Sequence, residues 1–138
     1  MSKLVWEVLE EVRKKRSKKE KVEVLKKYES WPLKDIIRGS MDSTVEWNLP
    51  AGEPPYTPCE PHNAPANLMR ENKKFGYFIK GGPGDKLPSF KRENILLGII
   101  EGVDPNDAKL VVDMINKKTP DGLSRPIIND AFPGLLKD

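Results

Sequence analysis

Six of the thirteen prolines lie between residues 50 and 65. No helix or interior strand runs through such a stretch, because proline lacks an N–H and biases the preceding residue toward extended backbone. The segment reads Pro50-Ala-Gly-Glu-Pro-Pro-Tyr-Thr-Pro-Cys-Glu-Pro-His-Asn-Ala-Pro65 and holds the only cysteine, Cys59, and the only histidine, His62. It splits the 138-residue chain into an N-terminal block (residues 1–41), an extended proline-rich crossover (42–65) and a C-terminal block (66–138). The length suits one domain with a modest core, so the expected fold is mainly α, a single compact domain of about six helices.

The apolar spacing on either side supports that reading. Val5, Val8, Leu9 and Val12 follow the i, i+3, i+4, i+7 pattern of an amphipathic helix over about 3–15. Ser17-Lys-Lys-Glu20 matches a capping box and starts a second helix. Ser30-Trp-Pro32 starts a third, with Leu33, Ile36, Ile37 and Met41 on one face and Gly39 weakening its end. Thr44 to Leu49 alternates apolar and polar residues, which suits an extended segment or a short two-stranded element. Ala66 to Lys80 reads as a fourth helix with Leu68, Phe75, Phe78 and Ile79 inward. Gly81-Gly-Pro-Gly84 stops it. A fifth helix follows a Ser89 cap, with Phe90, Ile95, Leu96, Ile99 and Ile100 apolar. Asp104-Pro105 opens a sixth, which buries Leu110, Val111, Met114 and Ile115 and ends at Lys117-Lys118. A short helix over about 125–132 precedes Leu135 and Leu136, which tuck back.

Charge is uneven. Residues 1–41 carry 12 Lys+Arg against 7 Asp+Glu, and residues 42–138 carry 12 against 14. Seven of the nine residues from 13 to 21 are basic: Arg13, Lys14, Lys15, Arg16, Lys18, Lys19 and Lys21. Such a patch can neutralise phosphates and release counterions, so these seven are the candidate nucleic-acid contacts. A solvated helix turn is the plain alternative. Acidic residues in the first helix break any signal-peptide core. The longest apolar block, Ile95 to Ile100, is far short of a membrane span. With a single cysteine, no internal disulfide forms. The expectation is a cytoplasmic protein that does not engage membranes.

The chemistry on offer is thin. Cys59 and His62 are two zinc-type ligands where a structural site wants four and a catalytic site three. No tight metal and no cofactor is expected, and an orienting partner for a Cys–His nucleophile is lacking. The Gly81–Asp85 stretch lacks the Lys-Ser/Thr of a phosphate loop and reads as a linker. Glu10-Glu11 and Asp104/Asp107 have ordinary places, on a wet helix face and at a helix N-terminus. No catalytic residue is assigned. Trp6 and Trp31 read as packing residues. Trp47 lies on an extended segment able to present its ring, so Trp47, Pro54, Pro55 and Tyr56 are the candidate partner-binding residues.

Three blocks carry a resemblance. They are Glu20-Lys-Val-Glu-Val-Leu-Lys-Lys-Tyr-Glu-Ser30 running into Leu33-Lys-Asp-Ile-Ile-Arg-Gly39; Leu49-Pro-Ala-Gly-Glu-Pro-Pro-Tyr56; and Gly102-Val-Asp-Pro-Asn-Asp-Ala-Lys109, leading to Ala131-Phe-Pro-Gly-Leu-Leu136. Together they resemble a family of small uncharacterised proteins of T-even-like tailed phages, especially marine ones. The resemblance implies a product made in the host cytoplasm and implies no activity. The leading expectation is a non-enzymatic accessory protein that docks on a host or phage protein. A nucleic-acid-associated factor in phage replication or transcription, acting through residues 13–21, is second. A virion component and a metal-dependent hydrolase using carboxylates alone are the remaining readings.

Overall fold

The computed structural model describes residues 4–50, 52, 54–60 and 64–137. Among them are seven α-helices: α1 (Val5–Lys14), α2 (Lys18–Lys27), α3 (Trp31–Met41), α4 (Leu68–Glu71), α5 (Ser89–Gly102), α6 (Pro105–Ile115) and α7 (Arg125–Ala131). Two 3₁₀ segments, Asn72–Phe78 and Pro83–Lys86, lie between α4 and α5. None of these helices is long and apolar enough to cross a membrane.

Local chemistry accounts for where most helices start. The Ser17 hydroxyl accepts the Glu20 N–H at 3.1 Å and donates to the Glu20 carboxylate at 3.0 Å. The carboxylate thus accepts a hydrogen bond from the hydroxyl, where a full capping box would have it accept one from the serine N–H. Ser30 accepts the Leu33 N–H, Asn67 the Arg70 N–H, and Asp104 the Asn106 N–H. Each satisfies one orphan donor of a first turn. The residue capping helix α1, Leu4, offers no side-chain acceptor. Glu7 accepts the Leu4 N–H at 2.9 Å, and Asp107 of α6 accepts the Trp6 N–H at 2.9 Å. A distant carboxylate therefore does the work of a local cap.

Helix α6 packs against α1, α3 and α5, while α2 packs against α1 and α7. Val12, Leu25, Ile36, Ile37, Ile99, Ile100, Val111, Met114 and Ile128 belong to one buried cluster drawn from six helices. Gly39 makes the crossing of α3 with α6 close. A Cβ built there would lie 2.6 Å from the Trp47 ring and 2.7 Å from Met114. This glycine is therefore a packing requirement, beyond the helix-weakening role read from its sequence position.

Several expectations change. The run from 66 to 80 is not one α-helix but a single α-turn followed by 3₁₀ backbone. Phe75 and Phe78, three residues apart, superimpose on one face of a 3₁₀ turn, and both are buried with Leu68. Ile79 then forms an isolated antiparallel bridge with Trp47, supported by Lys80 N–H to the Glu46 carbonyl at 2.9 Å. That bridge is the extent of strand pairing among the described residues. Helix α5 starts at Ser89 with Pro88 as its cap residue, so Phe90 falls in the first turn and stands 59% exposed. Helix α6 ends at Ile115, because Lys117 takes a left-handed φ of 58°.

Two outcomes follow from this packing. Gly39→Ala should cost roughly 1–3 kcal/mol, the scale of overpacking a tight core, seen as a lower urea midpoint with unchanged slope. Burial pushes the Asp107 carboxyl up from 3.8 to about 7, with the Asp104 and Glu7 charges adding and the Trp6 N–H opposing. The folded state then holds a proton that the unfolded chain releases, so this contribution to stability is complete below about pH 3.8 and is lost as pH rises toward 7. Asp107→Asn keeps an acceptor for Trp6 and does not titrate. It should match the native protein near pH 4 and exceed its stability at pH 8 by on the order of a few kcal/mol, measured by denaturant unfolding at both pH values.

Candidate functional site

The described part of the proline-rich segment is held against the ends of α5 and α6 by hydrogen bonds at Gly52, Thr57 and Cys59. The Gly52 N–H donates to Asn116 Oδ1 at 2.7 Å, and Asn116 Nδ2 donates to the Gly52 carbonyl at 3.1 Å. Asn116 directly follows α6, and the same Nδ2 also reaches the Val112 carbonyl at 2.9 Å. Further along, the Thr57 N–H donates to Glu101 of α5 at 2.8 Å, and the Cys59 thiol donates to the Val103 carbonyl at 2.9 Å. Pro54 and Tyr56 are half-buried, and Tyr56 packs on the core. Pro55, Thr57, Pro58 and Glu60 are exposed. Glu53 and His62 fall outside the described residues, so the Cys59–His62 pair does too.

Where the segment begins, Arg92 of α5 organises the backbone. Its guanidinium donates to the carbonyls of Asn48 at 3.2 Å, of Gly84 at 3.1 Å and of Leu87. Arg92 thereby ties the strand-like 46–48 stretch to the glycine-rich turn. Gly84 is needed in that turn: a Cβ there would sit 1.9 Å from the Tyr77 carbonyl oxygen. The Gly81–Asp85 stretch closes on itself, with the Gly81 N–H on the Asp85 carboxylate at 2.8 Å.

Trp47 does not present its ring. Its indole N–H donates to the Gly39 carbonyl at 3.0 Å, and the ring meets Phe75 edge-to-face at 6.5 Å between centroids. The residue is half-buried against the core. Extended backbone left either face open to it, and the gap above Gly39 decided the matter. The tryptophan that does face solvent is Trp31, 70% exposed on the first turn of α3. The Lys34 ammonium stands 4.9 Å from its ring and pairs with Glu29 at 2.5 Å. The Ser30-Trp-Pro32 start explains the exposure: Pro32 and Leu33 turn inward, which leaves Trp31 on the outer side.

The basic turn between α1 and α2 divides into two sets. Arg13 pairs with Glu10, which holds that carboxyl below its usual range. Lys18 pairs with Asp130 of α7 at 2.9 Å, and Lys21 donates to the Gly122 carbonyl at 2.9 Å. These contacts fasten the turn to α7 and to the loop after α6. Lys14, Lys15, Arg16 and Lys19 make no ion pair among the described residues, and of these only Lys15 is half-buried.

Two buried aspartates and one exposed lysine make long-range contacts that the sequence did not assign to them. Asp42 is fully buried, and its carboxylate accepts the Thr44 N–H at 2.9 Å and the Lys137 N–H at 2.8 Å. Lys117 donates its ammonium to the carbonyls of Gly39 at 2.8 Å and Asp42 at 2.7 Å, capping the end of α3. Asp107 serves α1 as described above. Both aspartates hold N–H groups in place, so the carboxylates at these positions have structural work.

Both candidate surfaces lie within one family match, which spans residues 8–121. The chain belongs to the Family of unknown function (DUF6433). The match runs from the second turn of α1 through the loop after α6 and leaves α7 outside. No curated protein matches the chain.

The clamps on the segment make separable predictions. Asn116→Ala should speed exchange of the Gly52 amide about five- to tenfold, the scale of one net hydrogen bond, and leave the Thr57 amide protected. Glu101→Ala should do the reverse. Both are read by hydrogen exchange under native conditions.

Proposed function

We propose that this protein is a non-enzymatic accessory protein of a tailed phage, acting in the host cytoplasm by docking on a host or phage protein through the outer face of residues 54–60. One observation carries the reading: the extended backbone here is fixed at Gly52, Thr57 and Cys59 by groups at the C-terminal ends of α5 and α6, while Pro55, Thr57, Pro58 and Glu60 stay exposed. A partner that binds an already ordered strip does not meet the entropy cost of ordering it. The residues best equipped for chemistry are engaged elsewhere. The Cys59 thiol is bonded to Val103, Asp104 caps α6, and Asp107 caps α1. Tyr56 anchors the strip on the core, and Pro55 and Pro58 supply its contact surface.

A second reading is nucleic-acid association through the basic turn. It is favoured by Lys14, Lys15, Arg16 and Lys19, which project without intramolecular ion pairs among the described residues. The other three basic residues of the turn have structural partners.

Affinity purification from infected cells separates the two readings. A variant carrying Pro55→Asp and Pro58→Asp should lose the captured partner without a change in melting temperature. A variant reversing Lys14, Arg16 and Lys19 should keep it. Loss only in the second variant, with binding to labelled DNA or RNA that falls steeply with salt, would replace the first reading with the second.

A further inference from the structure

The proline-rich segment borders a cavity of about 330 Å³ that shares only Pro55 with the exposed residues of the outer-face docking reading. Its roof is Pro50, Gly52, Pro54 and Pro55. Its floor is Leu96 and Leu97 of α5 with Val112 and Ile115 of α6. Glu93 also lines it, three and four residues before the two leucines and so on the same face of α5. The volume falls at the lower end of small-molecule sites.

We propose that this cavity binds a small organic cation, an ammonium group carried on a hydrocarbon body. The hydrocarbon part is matched by the leucine, valine, isoleucine and proline walls. The sign of charge follows from the hydrogen-bonding inventory of the described lining. Prolines have no N–H. The Gly52 N–H is bonded to Asn116. Leu96, Leu97, Val112 and Ile115 lie within helices, where N–H groups beyond the first turn bond to carbonyls one turn back. Among the described residues the lining therefore offers no spare donor to an anion. It does have an acidic acceptor, Glu93, which makes no hydrogen bond or ion pair among the described residues. A carboxylate beside apolar walls is less screened than one in bulk water, which strengthens its attraction for a cation. The clamps at Gly52 and Thr57 hold the roof at a set height, so the cavity is preformed.

The test uses the full-length protein, isotope-labelled, titrated at neutral pH with three probes of one chain length: hexylammonium, hexanol and hexanoate. Hexylammonium should shift the amides of Gly52, Leu96, Leu97 and Val112 and bind about tenfold more tightly than hexanol, the scale of one charge-assisted contact. Hexanoate should bind more weakly than either. Glu93→Gln, checked for an unchanged melting temperature, should bring hexylammonium to the level of hexanol while leaving hexanol binding as it was. No shift at these amides with any probe would overturn the proposal. So would equal affinity for hexylammonium and hexanol in the native protein, or a hexylammonium preference that survives Glu93→Gln.

Discussion

The carbonyl of Gly39 is where the arrangement is decided. One oxygen accepts both the Trp47 indole N–H and the Lys117 ammonium, using its two lone pairs. The missing side chain beneath it admits the Trp47 ring and Met114. Three segments far apart in sequence therefore converge on one residue: the end of α3, the extended stretch after it and the turn after α6. With Trp47 fixed, the chain leaves α3 in one direction. The bridge to Ile79 and the Arg92 contact with Asn48 keep it there until the proline-rich residues begin. Lys117 reaches its two carbonyls from a left-handed backbone, which a non-glycine residue adopts at a cost. The two charge-assisted hydrogen bonds offset that cost.

Buried carboxylates extend the same logic. Asp42 holds the N–H of Thr44 on one side and that of Lys137 on the other, joining the start of the crossover to the C-terminal tail. Asp107 holds the N-terminus of α1 from the first turn of α6. Each replaces a contact that local sequence does not supply. Leu4 cannot cap α1, and the tail from 133 to 137 has no helix of its own. A carboxylate suits the task because it offers several acceptor sites and receives stronger hydrogen bonds than a carbonyl. In the case of Asp107, the desolvation that accompanies the task raises its pKa toward neutrality.

Much of the helical architecture was legible because its signals are local. The α1 stripe, the Ser17, Ser30 and Asp104 caps and the Asp104-Pro105 start each depend on residues within a turn of one another. The failures were all non-local. Nothing near Trp47 in sequence shows that Gly39 leaves room for its ring. Nothing near Trp31 shows that the inward turn of Pro32 and Leu33 leaves it outside. The apolar spacing of Leu68, Phe75 and Phe78 is compatible with either helix type, and the need to bring Ile79 beside Trp47 selects the tighter one. Of the basic turn, composition alone showed seven cations. Only their distant partners Asp130 and Gly122 divide those that fasten the fold from those that face solvent.

The crossover acquires two faces through the same non-local contacts. Proline restricts the unfolded chain and so lowers the entropy lost on ordering, but it also removes the N–H groups by which a segment usually joins a fold. Among the described residues, the Gly52 N–H is met by the side chain of Asn116, just after α6, and the Thr57 N–H by that of Glu101 in α5. Holding the segment at those points, with prolines between them, keeps its backbone from settling fully onto α5 and α6. The result is an exposed strip outside and an apolar cavity inside. Gly52 and Pro55 both line the cavity and lie three residues apart, so an occupant that shifted the roof at Gly52 would also move the strip at Pro55. A ligand inside and a partner outside would then influence each other with equal strength in both directions, as linkage requires.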